Sequence, residues 1–285
     1  MKRIIAFSNY FIHAAVVSAV LIAAGLIGYF AKGGFNLGVD FQAGLIQEIR
    51  FAEGTAPAVE DVRGSLEGLG TPSVQVIGDP SERRFMIRLR EDTDSAEQED
   101  ILSKQIRDAL DAKFGAGNVT VTQSDYVGSR FSKQLADQAG LLMGLTLLLI
   151  LCYASVRFKP QFAVGAVIAI AHDALIVVGF VAWSRMEFNT TTIAAILTIL
   201  GYSINDTIVV FDRIRETIRI YPNDPFVTVL NRAVSDTLGR TVITTATTML
   251  AVLSLFIFTA GSMRDFALAL LIGMLSGVYS TIFIA

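Results

Sequence analysis

The chain has 285 residues, of which 53% are hydrophobic and only 17% charged, and its mean hydropathy is +0.56. That is too apolar for an ordinary soluble domain and points to a membrane protein. A net charge of −3 supplies no basic patch for nucleic acid, and the one cysteine, Cys152, has no partner for an internal disulfide.

A bilayer core takes about 20 apolar residues as a helix. Six runs of that kind lie at residues 10–31, 135–156, 161–183, 188–211, 241–260 and 266–285. The first follows Met1, Lys2 and Arg3 as a signal peptide would, but its apolar stretch is too long and no small-residue cleavage site closes it. It reads as a retained first span.

The charge is concentrated after that span. Of the 26 acidic residues, 17 fall between Lys32 and Lys133, beside 12 of the 23 basic ones. Residues 32–134 therefore read as an acidic, water-facing insert, with residues 1–31 as the N-terminus and first span and residues 135–285 as the remaining five spans. Within the insert, LIQEIRF at 45–51 predicts a strand and PAVEDVRGSLEGLG at 57–70 a helix opened by Pro57. SVQVIG and RFMIRLR predict two strands around a GDP turn at 78–80. Residues 95–113 have helical spacing with Ser95 and Gln98 as a capping box, and NVTVTQ alternates as a last strand. The order β-α-β-β-α-β is the ferredoxin-like arrangement, which hosts many functions and identifies none.

The short loops set the orientation. Lys2, Arg3, Arg157, Lys159, Arg213, Arg215, Arg219, Arg232 and Arg240 fall on one side, and only Arg185 and Arg264 on the other. The basic side is cytoplasmic, so both termini are expected there and the insert outside, in the periplasm. A cytoplasmic connection is expected over about residues 212–240.

Six helices with a large domain after the first make one half of an RND-type transporter. Here the sequence resembles a known family. GVDFQAG at 38–44, carrying Gly38, Asp40, Phe41 and Gly44, is similar to the glycine-aspartate-phenylalanine signature of the SecD/SecF proteins, with Ala43 where their pattern has a second glycine. GYSINDTIVVFDRIRE at 201–216 closely resembles that family's fourth-helix motif. The resemblance implies a proton-driven accessory subunit of the Sec translocase in the bacterial inner membrane, not an enzyme. It also implies a second half, SecD, docking on the SecYEG channel, YajC as a further partner, and an unfolded preprotein as cargo. A basic cytoplasmic tail past the sixth span is implied too, which would make Ala285 a point of truncation.

Asp206 lies inside a span, where a charge costs about 2.5 to 3.5 kcal/mol on insertion scales and needs a partner, a proton or water. Arg240 opens the fifth span on the same side, and an arginine stem can bridge the gap if the helices are neighbours. Burial favours a neutral carboxyl and Arg240 a charged one, so the balance suits proton uptake and release. The resemblance implies the same roles for these two residues. A fixed ion pair or an interhelical hydrogen bond accounts for Asp206 as well. Tyr202 and Ser203 lie one turn back and serve either reading. Asp212 and Arg213 read as interface anchors.

Asp173 and its neighbour His172 fall near the centre of the third span, where they form a second relay candidate or a satisfied interhelical contact. His13 in the first span reads as structural. Thr241, Thr244, Thr245 and Thr248 recur at helical spacing, a face for ordered water or for hydroxyls bonded to their own backbone. Gly165, Gly179, Gly273 and Gly277 allow close helix packing.

No Walker A loop is present, so ATP is not the expected energy source, and no cluster with ligand spacing implies a metal or organic cofactor. A proton falling through 100 mV releases about 2.3 kcal/mol. Two alternatives remain open: a proton-coupled exporter half for a small molecule or lipid, and a structural subunit that stabilises the channel. An intramembrane aspartyl protease using Asp173 and Asp206 lacks the GxGD context.

Overall fold

Long apolar runs in a bilayer must satisfy their backbone internally, and this chain does so with helices. The computed structural model describes every residue except 1–3, 42, 43, 56, 71, 78, 79, 91–95, 128, 159 and 260. In chain order the elements are α1 (Phe11–Ala31), β1 (Asn36–Leu37), β2 (Gly44–Phe51), α2 (Val59–Ser65), β3 (Ser73–Ile77), β4 (Arg84–Arg90), α3 (Ala96–Phe114) and β5 (Val119–Val127). They continue as α4 (Ser129–Arg157), α5 (Pro160–Ser184), β6 (Glu187–Phe188), α6 (Thr190–Ile220), α7 (Phe226–Phe258) and α8 (Gly261–Phe283). Lys2, Arg3, Ala43, the Gly78 and Asp79 of the expected turn, Ser95 of the expected capping box, and Lys159 lie outside the described residues.

Two compact units result. One is built from the residues up to Asn36, Leu142–Phe258 and Met263–Ala285; the other is built on Leu37–Leu141. In the second, β2 pairs antiparallel with both β4 and β5, and β3 pairs antiparallel with β4, giving the order β3-β4-β2-β5. Strand periodicity sends Leu45, Ile49 and Phe51 of β2 and Phe85, Ile87 and Leu89 of β4 to one face. There they meet Leu102, Ile106 and Leu110, which lie four residues apart along α3, and Val62 and Leu66 from the α2 region. Gln47 is the polar exception on that face, its amide donating to Ser103 at 2.6 Å. On the solvent side Arg84 donates to Glu48 at 3.0 Å, and that carboxylate raises the guanidinium pKa. The helix expected over residues 57–70 is shorter than the sequence suggests. It runs Val59–Ser65 with Ala58 as N-cap, and a separate 3-10 turn covers Glu67–Leu69.

Among the described residues six helices are long and apolar enough to cross a membrane. α5 packs on α1 and on α6, and α6 on α7. Two glycine contacts set the approach. A Cβ on Gly25 of α1 would lie 2.6 Å from the Gly179 Cα of α5, and a Cβ on Gly277 of α8 would lie 3.3 Å from the Ser203 Cβ of α6. These are small-residue crossings of the kind that hold helices together where lipid is as apolar as the side chains.

Residues 212–240, expected as a cytoplasmic connection, are mostly helical. α6 runs on to Ile220 and α7 begins at Phe226, so only residues 221–225 join them, and Asp206 is followed by fourteen further helical residues. Apolarity marks where lipid ends, whereas a helix continues while its ladder is supported. Here Arg213 of α6 donates to Asp236 of α7, Thr217 donates to the Arg213 carbonyl, and the Pro225 carbonyl accepts from Thr228 and Val229.

Candidate functional site

α5 carries a carboxylate into the middle of the bundle. Asp173 is fully buried, and both of its oxygens are occupied. Ser276 donates to Oδ1 at 2.6 Å and His172 Nδ1 lies 3.1 Å from the same atom; Ser203 and Ser280 donate to Oδ2 at 2.6 and 2.7 Å. Four contacts meet the four lone-pair sites of a carboxylate. The donors come from α5, α6 and α8, and Ser276 and Ser280 share a face because they lie one turn apart. Gly277 between them lets α8 come near enough to Ser203 for the three hydroxyls to converge.

His172 extends the cluster to α1. Its Nε2 lies 3.0 Å from Ser18 Oγ, Ser18 Oγ lies 3.0 Å from the Tyr279 hydroxyl, and Tyr279 donates to the Ala14 carbonyl. The Tyr279 ring stacks on the imidazole with centroids 5.9 Å apart. The close Gly25–Gly179 crossing seats α1 within reach of α5.

Asp206 stands apart from this cluster. It is 7% exposed, on the α6 face that also carries Ser203 and Thr207, and among the described residues nothing hydrogen-bonds or ion-pairs to it. Arg240, exposed at its place in α7, is near enough to act on its charge without making an ion pair. No hydrogen bond joins Asp173 and Asp206, which leaves an aspartyl-protease dyad without its geometry.

Tyr202 and Ser203, adjacent in sequence, part company. Ser203 turns to Asp173, not to Asp206, while the Tyr202 hydroxyl faces Thr245 and Thr248 of α7 at 3.4 and 3.5 Å. Thr244 donates to the Arg240 and Thr241 carbonyls and Thr248 to the Thr244 carbonyl, so much of the threonine stripe bonds its own backbone. Thr207 and Thr281 instead meet each other at 3.1 Å between α6 and α8. His13 is exposed on α1.

Asp212 and Arg213 sit in an ion-pair group at the far end of α6. Arg157 reaches Asp212 at 2.7 Å and stacks over Phe158, while Arg213 forks between Glu216 and Asp236. In the other unit Gly38 and Phe41 close a tight turn, Phe41 N–H donating to the Gly38 carbonyl at 3.0 Å; Asp40 lies within that turn, and Gly44 opens β2. Among the described residues no group of three or more His, Cys, Asp or Glu gathers to hold a metal ion.

Sequence reasoning singled out Asp173 and His172 and missed Ser18, Ser276, Tyr279 and Ser280. The signal was there in SGVYS at 276–280, two hydroxyls one turn apart inside an apolar run.

The family model described as "Protein export membrane protein SecD/SecF, C-terminal" matches residues 106–285. The chain belongs to the SecD/SecF family. A protein translocase subunit SecF of Treponema pallidum is 34% identical over 402 aligned residues, covering 100% of this chain and 96% of that one. The SecF of Borreliella burgdorferi is 38% identical over 288 residues, again covering 100% of this chain and 96% of the relative. A crystal structure of SecDF from Thermus thermophilus, described as translocon-associated, is 34% identical and superposes with a TM-score of 0.83 over 99% of this chain; the chain spans 38% of that SecDF. A second SecDF structure, in a super-membrane-facing form, gives 0.68. With six spans and SecF relatives over its whole length, the chain is a polytopic helical membrane protein with an accessory role in Sec translocation.

Proposed function

We propose that this chain uses the proton motive force, with SecD as the other transporter half, to assist preprotein export across the cytoplasmic membrane through SecYEG. Asp206, Arg240 and Asp173 carry the proton. YajC is a further partner of the complex, and the cargo is an emerging, unfolded preprotein. The observation that carries this reading is the state of Asp206: a buried carboxylate within a span, acted on by Arg240 but not locked to it. A fixed ion pair would have the two groups in contact. An intramembrane ionisable residue is a functional candidate by default, and this one is left able to change its charge.

Both termini are cytoplasmic, a reading supported by Arg157, Arg213, Arg215, Arg219 and Arg232 around the ends of α4, α6 and α7. The unit built on Leu37–Leu141 is then periplasmic and ferredoxin-like, which its element order and the antiparallel order β3-β4-β2-β5 support. Protons moving inward drive motion of that unit and draw the preprotein outward.

Asp206→Asn tests this, because it removes the titratable proton with almost no change in shape. The variant is co-expressed with SecD and the channel, and preprotein release from membrane vesicles is measured with and without a proton gradient. Loss of the gradient-dependent part in a normally assembled complex is expected. Intact gradient dependence would sink the reading.

A further inference from the structure

We propose that His172, Ser18 and Tyr279 form a proton-transfer chain feeding Asp173, so that Ser18 of α1 and Tyr279 of α8 are relay groups of the membrane unit. The inference rests on the proton-coupling reading above and adds two residues and a direction to it.

The direction follows from hydrogen-bond accounting. A carbonyl only accepts, so the single Tyr279 hydroxyl proton points at the Ala14 oxygen. The 3.0 Å contact between Ser18 and Tyr279 then needs the Ser18 proton, donated to the tyrosine oxygen. Ser18 Oγ, its proton spent, must accept from Nε2–H of His172 across 3.0 Å. One more proton is needed in the 3.1 Å gap between His172 Nδ1 and Asp173 Oδ1, on one atom or the other. The pair therefore holds a proton and is net neutral.

Reversing every bond gives a second state with one proton fewer. Tyr279 donates to Ser18, Ser18 donates to Nε2, and Nδ1–H donates to an Asp173 carboxylate, leaving the pair net negative. Passage between the two states balances. A hydronium gives a proton to the Tyr279 oxygen and becomes water, Tyr279 hands its own proton to Ser18, and Ser18 hands its own to Nε2. Only O–H and N–H bonds form and break. The three serines around Asp173 tolerate both charges, because a hydroxyl can donate to a carboxylate and accept from a carboxylic acid.

The surroundings give the chain two unequal ends. Asp173 is fully buried, whereas Tyr279 is half-buried and lines an open groove of about 520 Å³ between α1, α5 and α8, beside Val17, Leu21, Phe180 and Leu275. The groups that face the pair are Ser18 from α1, Ser203 from α6, and Ser276, Tyr279 and Ser280 from α8. Asp206 is the next ionisable group along the α6 face. Loading the pair also moves the Tyr279 proton from Ser18 to the α1 backbone, so proton uptake rewrites the contact between α8 and α1.

The test uses the full chain assembled with SecD and the channel in lipid. The first readout is the ratio of preprotein release with a proton gradient to release without one. Tyr279→Phe keeps the ring on His172 but breaks the chain, and Ser18→Ala breaks it at the next link. Both are expected to bring the ratio down toward one, and Ser18→Thr, which keeps the hydroxyl, to restore it. The second readout is the ¹⁵N signal of the His172 imidazole in the unaltered chain, which is expected to show Nε2 carrying a proton in one state and none in the other when membranes with and without a proton gradient are compared. An Nε2 signal unchanged by the gradient overturns the proposal whatever the variants do. So does a wild-type ratio in Tyr279→Phe and Ser18→Ala while Asp206→Asn loses it, a result that leaves proton coupling standing. A wild-type ratio in Asp206→Asn refutes the coupling reading itself.

Discussion

Asp173, on the α1–α5–α8 side of the bundle, differs from Asp206, on the α6–α7 side, in how its charge is held. Both sit inside spans where an unpartnered charge costs about 2.5 to 3.5 kcal/mol. Asp173 meets that cost with three serine hydroxyls and an imidazole at 2.6 to 3.1 Å, drawn from three helices. Among the described residues Asp206 has no such hydrogen-bonding partner, and the charge that acts on it is that of Arg240. The first arrangement makes a carboxylate into a fastener of helices as well as a proton holder; the second leaves a carboxylate whose energy depends on where an arginine stands. Stability measurements should therefore separate the two residues sharply.

Asp173→Ala gives the largest expected effect. Interhelical hydrogen bonds in membranes contribute about 0.6 kcal/mol on average and up to about 1.7, so losing the three from Ser203, Ser276 and Ser280, with the His172 contact besides, should cost about 2 kcal/mol or more. Unfolding of the lipid-reconstituted chain by denaturing detergent measures it. A loss below about 1 kcal/mol would show that the serines find other partners, and the contrast with Asp206 would collapse. Gly25→Leu comes next. Its Cβ has no room against the Gly179 Cα, so α1 must move off α5 at a cost of about 1 to 3 kcal/mol. The same displacement pulls Ser18 from His172, so the variant should lose gradient-dependent release as well as stability. Full stability in Gly25→Leu would mean that α1 is not seated by this crossing.

How much of this was legible beforehand varies with the physics of each element. The strand expected at 45–51 is Gly44–Phe51 and the helix expected at 95–113 is Ala96–Phe114, because alternation and helical spacing are local signals. The six apolar runs were equally plain. The ends of α6 and α7 were not, since Arg213 of α6 and Asp236 of α7, side chains far apart in sequence, tie the two extensions together, while Thr217 bonds back to the Arg213 carbonyl within α6. Asp173 stood out as a charge in an apolar run. Its partners did not, because serines are common in membrane helices and only the meeting of α5, α6 and α8 selects Ser203, Ser276 and Ser280. Asp206 and Arg240 were paired on paper by reach and by the resemblance; the structure leaves Arg240 acting on the charge of Asp206 without an ion pair between them.

Smaller substitutions sharpen the contrast on α6 itself. Ser203→Ala removes one of the four Asp173 contacts and should cost about 0.6 to 1.7 kcal/mol. Its neighbour Tyr202 makes only long contacts, 3.4 and 3.5 Å, to Thr245 and Thr248. Tyr202→Phe should cost less than about 0.6 kcal/mol, since hydrogen bonds weaken at such lengths. A larger loss for Tyr202→Phe than for Ser203→Ala in the same unfolding assay would place the organising polar contact of α6 on its α7 side.

The smallest expected change in stability belongs to Asp206→Asn. No hydrogen bond among the described residues is lost, the shape is kept, and a carboxyl carrying its proton is as neutral as the amide that replaces it, so unfolding should shift by no more than about 0.5 kcal/mol. A functional defect with unchanged stability is the signature of a residue kept for what its charge does, not for what it holds together. Asp173→Asn supplies the reference: an amide presents one acceptor oxygen in place of two, so at least one serine must turn from donor to acceptor, and stability falls. If Asp206→Asn instead destabilised the chain as much as Asp173→Asn does, Arg240 would have to be engaging Asp206 directly in the membrane. Asp206 would then be a fastener too, and the proton would have only the α5 cluster left to ride on.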